Sequence, residues 1–142
     1  MRTTLVLLLT VAVLACGTPA CGASKKTAKA VSEYCHICEA ASRISVELVG
    51  MLAKHPYETR LAAYAAKIAD TNTDIFRRLK APAVAADVKE HFGEAAAAFK
   101  KAVTLHLKAE YKASKEAGAK CVQEFFKAAA AVRKLRREGV IP

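Results

Sequence analysis

The stretch VKEHFGEAAAAFKKAVTLH, residues 88–106, decides the fold class. Val88, Phe92, Ala95, Phe99, Val103 and His106 recur at spacings of three and four, the period of one face of an α-helix, while Lys89, Glu90, Glu94, Lys100 and Lys101 fill the positions between them. Two phenylalanines separated by an alanine run predict a helix that buries its aromatic side chains against closely approaching neighbours. The same chemistry extends along the chain. Alanine supplies 31 of the 142 residues and is the strongest helix former, and no alternating apolar pattern argues for a strand.

Working outward, the third helix begins near Pro82, a good first-turn residue, and runs to about Lys115. Gly118 marks the expected turn. A fourth helix, Ala119 to Arg137, carries Val122, Phe125, Ala129 and Val132 inward and stops at Gly139, placed as a C-terminal cap. Upstream, a second helix from Tyr57 to Leu79 sets Leu61, Tyr64, Ile68, Ile75 and Leu79 on one stripe, with Asn72 falling on the same stripe. The first, Thr27 to Lys54, aligns Tyr34, Cys38, Ala41, Ser45, Leu48 and Leu52, and Ile37, Ile44 and Met51 widen that face. His55-Pro56 ends it. Four amphipathic helices on short connections predict an all-α, antiparallel up-down four-helix bundle over residues 27–142. The alternative is three helices, the last two fused through Gly118 at a cost of about 1 kcal/mol.

The first residues have a different character. Arg2 precedes an apolar run from Leu5 to Leu14, broken only by Thr10, and Val13-Leu14-Ala15-Cys16 follows. A run of ten residues falls short of the roughly 20 that a membrane-spanning helix needs, so the pattern reads as an export signal over residues 1–15. Val13-Leu14-Ala15-Cys16 resembles the lipobox of bacterial lipoproteins, with Leu14 standing where a small residue is usual. The resemblance covers these sixteen residues alone. It implies cleavage before Cys16, a diacylglyceryl group on its thiol, acylation (palmitate or a similar chain) of its new amine, and, with Gly17 rather than an aspartate next, sorting to the outer membrane. Several acyl chains hold a protein firmly, each buried methylene contributing roughly 0.8 kcal/mol. An ordinary signal cut after Ala20 or Ala23 would instead leave a soluble periplasmic or secreted protein. Residues 16–26 mix Gly, Thr, Pro, Ala, Ser and Lys and read as a flexible tether.

The net charge of +10 is spread along helix faces, with Lys127, Arg133, Lys134, Arg136 and Arg137 gathered on the last helix. Cations favour a helix C-terminus, and the same cluster suits contact with an anionic surface such as lipid head groups. Nucleic acid is a poor partner, because no aromatic platform is interleaved with the basic residues. With the membrane reached through the anchor, the expected partner is another envelope protein.

Once Cys16 is lipidated, Cys21, Cys35, Cys38 and Cys121 remain, an even number that in an oxidising compartment predicts disulfides. Cys35 and Cys121 would lie roughly 25 Å apart along antiparallel neighbours at 1.5 Å per residue, far beyond the ~7 Å that a disulfide spans. Cys21 is therefore the expected partner of Cys35 or Cys38. Cys35-His36-Ile37-Cys38 also offers two soft ligands on one turn with a histidine between them, and His91, with Asp70 or Asp74, is expected at the same level of the bundle. A zinc or copper site of Cys35, His36, Cys38 and His91 is the alternative function. Covalent haem does not fit, because Glu39 follows the pair where histidine is needed. His106 with Met51 is the only pair offered for a non-covalent haem. No Glu-x-x-His pair speaks for di-iron chemistry, no strand precedes Cys35 as in thioredoxins, and no nucleophile motif is present, so the chain reads as a non-enzyme.

Overall fold

The computed structural model describes residues 24–142; the expected signal, Cys16 and Cys21 lie outside them. Four helices carry the domain: α1 Lys25–Lys54, α2 Thr59–Arg78, α3 Ala86–Leu107 and α4 Tyr111–Arg137, with a single 3-10 turn at Ala83–Ala85 ahead of α3. Among the described residues there is no strand. The first helix starts two residues before the expected Thr27, because the Ser24 side chain accepts from the Thr27 amide and closes the first turn.

Successive helices run antiparallel. Between α3 and α4 the contacts recede along one helix as they advance along the other, Lys120 meeting Glu94 and Ser114 meeting Ala102, while Asn72 ties α2 to Ala41 and Ser45 of α1 and Lys100 ties α3 to Asp70 of α2. α3 and α4 form the most extensive pair, α1 touches all three other helices, and α2 and α4 are held apart. The cross-section is thus a rhombus closed across the α1–α3 diagonal. Its core has two halves. One gathers Val31, Tyr34, Cys35, Cys38, Val88, Phe92, Val132 and Leu135; the other gathers Leu48, Leu52, Ala65, Ala69, Phe99, Val103 and Cys121. Phe92 and Phe99 are the largest fully buried side chains, so most of the interior is filled by small residues.

The third connection differs from expectation. Helix α3 stops at Leu107, not near Lys115, and the chain reverses over Lys108–Glu110 with Ala109 at φ +60°. The Leu105 carbonyl accepts from the amides of Lys108 and Glu110, and the His106 carbonyl accepts from that of Ala109. A left-handed alanine costs roughly 1–2 kcal/mol, yet this break gives α4 27 residues against the 30 of α1. Reversal at Gly118 would have left α4 too short to cover α1. Gly118 lies inside α4 and serves packing instead: a Cβ there would stand 2.6 Å from Val49 Cγ1.

The inward face of α4 is also shifted from the expected one. Ser114, Ala117, Cys121, Glu124, Ala128, Val132 and Leu135 are buried, whereas Val122, Phe125 and Ala129 are half-buried at its flank. Ile37, Ile44 and Met51 do not enter the core but stand half-exposed on α1.

The Gly118 contact makes a signed prediction. Gly118→Ala gains about 1 kcal/mol of helix propensity but overpacks against Val49, whose branched side chain turns reluctantly, at about 1–3 kcal/mol. Denaturant unfolding should show the variant less stable by about 1 kcal/mol. In a Val49→Ala background the same change should stabilise by about 1 kcal/mol, and equal signs in both backgrounds would refute the close approach.

Candidate functional site

Cys35 and Cys38 sit three residues apart on the buried side of α1 and are 1 % and 0 % exposed. Burial pushes both thiols up. Cys38 is raised to about 12, with the Tyr34 hydroxyl beside it pulling part of the way back, and Tyr34 is itself held well above the ordinary phenol range by burial and by Cys38. Cys121, in the other half of the core, is pushed up to about 12 by burial alone. These are conditions that keep a thiol protonated, and the thiolate is the form that binds metal.

The other residues of the expected metal set point elsewhere. His36 is exposed on the outer face of α1. His91 turns toward α4, its Nδ1 lying 2.9 Å from Glu124 Oε2. Asp70 pairs with Lys100 at 3.1 Å, and Asp74 with Arg77 at 2.8 Å. Among the described residues no three His, Cys, Asp or Glu side chains come together as a metal's ligands would. Nor is there a disulfide among them: Cys35, Cys38 and Cys121 are free. The expected bridge from Cys21 falls outside the described residues. The haem pair is not assembled either, since Met51 is half-exposed on the flank of α1 while His106 is buried.

Glu124 is the buried charge that spacing alone did not reveal. It accepts from Lys127 Nζ at 2.7 Å and meets His91 at 2.9 Å. Lys127 first, and then His91, hold its carboxyl below the ordinary range. A carboxylate buried on an inward stripe needs such partners. Had the stripe of α4 been placed one position earlier, Glu124 would have fallen on it and His91 would have been its natural partner. Elsewhere in the basic cluster Arg136 lies 3.9 Å from Glu39, while Arg133, Lys134 and Arg137 are exposed.

Two surface features bear on function. A cavity of ≈ 380 Å³ opens near the α3–α4 turn, with Val49, Leu52 and Pro56 on one wall and Ala102, His106 and Ser114 on the other. His106 packs edge-on against Tyr111, ring centroids 5.1 Å apart, and its Nε2 is buried without a hydrogen-bond partner. On another flank of α1, Ile37, Ile44 and Met51 follow one another at seven-residue intervals, with exposures of 44 %, 45 % and 47 %. Asn72 Nδ2 donates to the Ala41 carbonyl at 3.0 Å and to Ser45 Oγ at 2.8 Å, fixing the register of α2 on α1. Eight residues along from that pin, exposed Tyr64 comes level with Met51 and continues the apolar strip onto α2. Exposed Glu47 borders the strip on the α1 side, and exposed Arg60 and Lys67 border it on the α2 side.

No protein-family model, curated protein or solved structure matches the chain.

Two predictions follow from the buried groups. In a chain with Cys16 and Cys21 replaced by serine, Cys35, Cys38 and Cys121 should be unreactive toward a disulfide reagent at pH 8 in the native state and all react in denaturant. Rapid native labelling of Cys35 or Cys38 would contradict their burial. For Glu124, a lowered folded-state pKa means that its stabilising contribution is complete above the ordinary carboxylate range and lost as pH falls through the folded-state value. Glu124→Gln should therefore unfold at a lower temperature than wild type at pH 7, with the two melting temperatures converging on acidification; a constant gap down to pH 2 would exclude the assignment.

Proposed function

We propose that the chain is a lipid-anchored protein of the bacterial envelope, without catalytic activity, whose bundle is an interaction module docking through the α1–α2 face. The observation that supports this reading is the strip of Ile37, Ile44, Met51 and Tyr64, four large apolar side chains left 44–55 % exposed on one face. Contiguous exposed apolar surface edged by charge is the mark of a protein partner site. An anchor at Cys16, implied by the lipobox-like Val13-Leu14-Ala15-Cys16, would hold this face beside the membrane with the tether between them. Among the described residues no helix is long and apolar enough to cross a membrane, so on this reading the attachment comes from the acyl chains. Gly17 directs the protein to the outer membrane.

A second copy of the chain suits the face. A two-fold axis along the bundle lays α1 of one protomer against α2 of its partner, antiparallel, and sets the acidic edge carrying Glu47 opposite the basic edge carrying Arg60 and Lys67. The other two-fold choice opposes α1 to α1 and acid to acid. Charges at such a rim select the orientation more than they add affinity.

A photoreactive phenylalanine analogue at position 44 of the full chain in cells should give an adduct of twice the protomer mass, and one at exposed position 133 should not. An adduct of another mass would keep the face and change the partner, while no adduct from position 44 would remove the docking function. Cys16→Ser should release the protein from the membrane fraction, and unchanged fractionation would end the lipid anchor.

A further inference from the structure

The cavity beside the α3–α4 turn is built of two unlike walls. Val49, Leu52, Ala53 and Pro56 make an apolar side, contributed by α1 and the chain that leaves it. The opposite side, from α3 and α4, brings His106, Lys112, Ser114 and Lys115 together. Ser114 is already committed, its hydroxyl donating to the Ala102 carbonyl at 2.8 Å. His106 is not. Its side chain is buried, with 6 % exposure, and Nε2 has no partner. An unpaired buried polar atom costs roughly 1–3 kcal/mol, so a residue doing nothing but filling space here would be better replaced by phenylalanine, which would keep the edge-on contact with Tyr111.

The electrostatics of that wall have one sign. Neither Lys112 nor Lys115 forms an ion pair among the described residues, whereas Lys100, Lys120 and Lys127 do. Both belong to the first turns of α4, whose N-cap residue Glu110 makes no side-chain capping bond. The opening amides of that helix are therefore left without a side-chain cap, and the positive end of its dipole adds to the two ammonium groups. The volume lies within the roughly 300–1,000 Å³ usual for small-ligand sites.

We propose that this cavity binds a single-chain amphiphile with a carboxylate head, such as a medium-chain fatty acid. The carboxylate is taken by Lys112 and Lys115 on the α3–α4 wall, with a turn of the His106 ring bringing its buried Nε2 into reach, and the hydrocarbon lies against Val49, Leu52, Ala53 and Pro56. The cavity is separate from the α1–α2 face, because Val49 lies on the side of α1 that meets Gly118 of α4, so the inference stands whether or not that face docks a partner.

The test is calorimetric titration of the full chain carrying Cys16→Ser with dodecanoate, dodecanol and dodecyltrimethylammonium below their aggregation concentrations. Dodecanoate should bind as one molecule per chain, dodecanol at least tenfold more weakly, and the ammonium compound not at all. Lys112→Gln with Lys115→Gln, and separately His106→Phe, should each weaken dodecanoate at least tenfold. His106→Phe should leave the melting temperature unchanged or raised, which a purely structural histidine would not do. Ala53→Trp, at an exposed position on the apolar wall, should block binding. Absence of dodecanoate binding would overturn the proposal, as would equal binding of the three amphiphiles or full binding by folded Ala53→Trp.

Discussion

The structure depends on the smallness of its interior. With Ala65, Ala69, Ala95, Ala98, Ala102 and Ala128 buried where leucines would fill a thicker bundle, helices must approach until backbone nearly meets side chain to exclude voids, whose lining atoms lose dispersion contacts. The gap of 2.6 Å between a notional Cβ at position 118 and Val49 Cγ1 is the tightest expression of this. The rhombic section follows as well: α1 and α3 close across the centre, and α2 and α4 are driven apart. Phe92, flanked by Phe76 and Phe125 at centroid separations of 6.3 and 6.4 Å, fills much of one half where alanine alone would leave space.

A thin core has a second effect, on what lies outside it. Large side chains at the edge of an inward stripe enter the interior only when the helices stand far enough apart, and here they do not. Ile37, Ile44 and Met51 are displaced to the flank of α1 by the same closeness that buries Ala41, Ser45 and Leu48 beside them. The apolar strip and the tight core are thus two results of one composition. Polar groups are admitted on similar terms: Asn72 and Ser45 satisfy each other and the Ala41 carbonyl inside the α1–α2 seam, and buried polar groups paired in this way fix register.

Helix number, order and direction were legible in the sequence, because periodicity and the two proline-marked connections are local signals. The third connection was not. The inward spacing continues from Val103 and His106 through Glu110 to Ser114 and Ala117 without a change of phase, so nothing local separates α3 from α4 except one charged residue on the stripe. Gly118 looked like a turn because glycine serves both turns and close approach, and only the position of Val49, 69 residues earlier, distinguishes them. The same phase ambiguity hid Glu124 and with it the role of His91. Cys38 already falls on the inward stripe of α1, whereas the burial of Cys35 beside it, which sets the chemistry of the pair, depends on the neighbouring helices.

The brevity of the α3–α4 connection bears on the order in which the chain assembles. Three residues, Lys108–Glu110, join the two helices that share the most extensive contact in the molecule, so most of that interface closes at small loop-entropy cost. Contacts of this local kind form quickly, whereas those joining α1 to α4 span most of the domain and wait for a scaffold. The α3–α4 hairpin offers such a scaffold, and α1, which touches every other helix, closes the bundle over it.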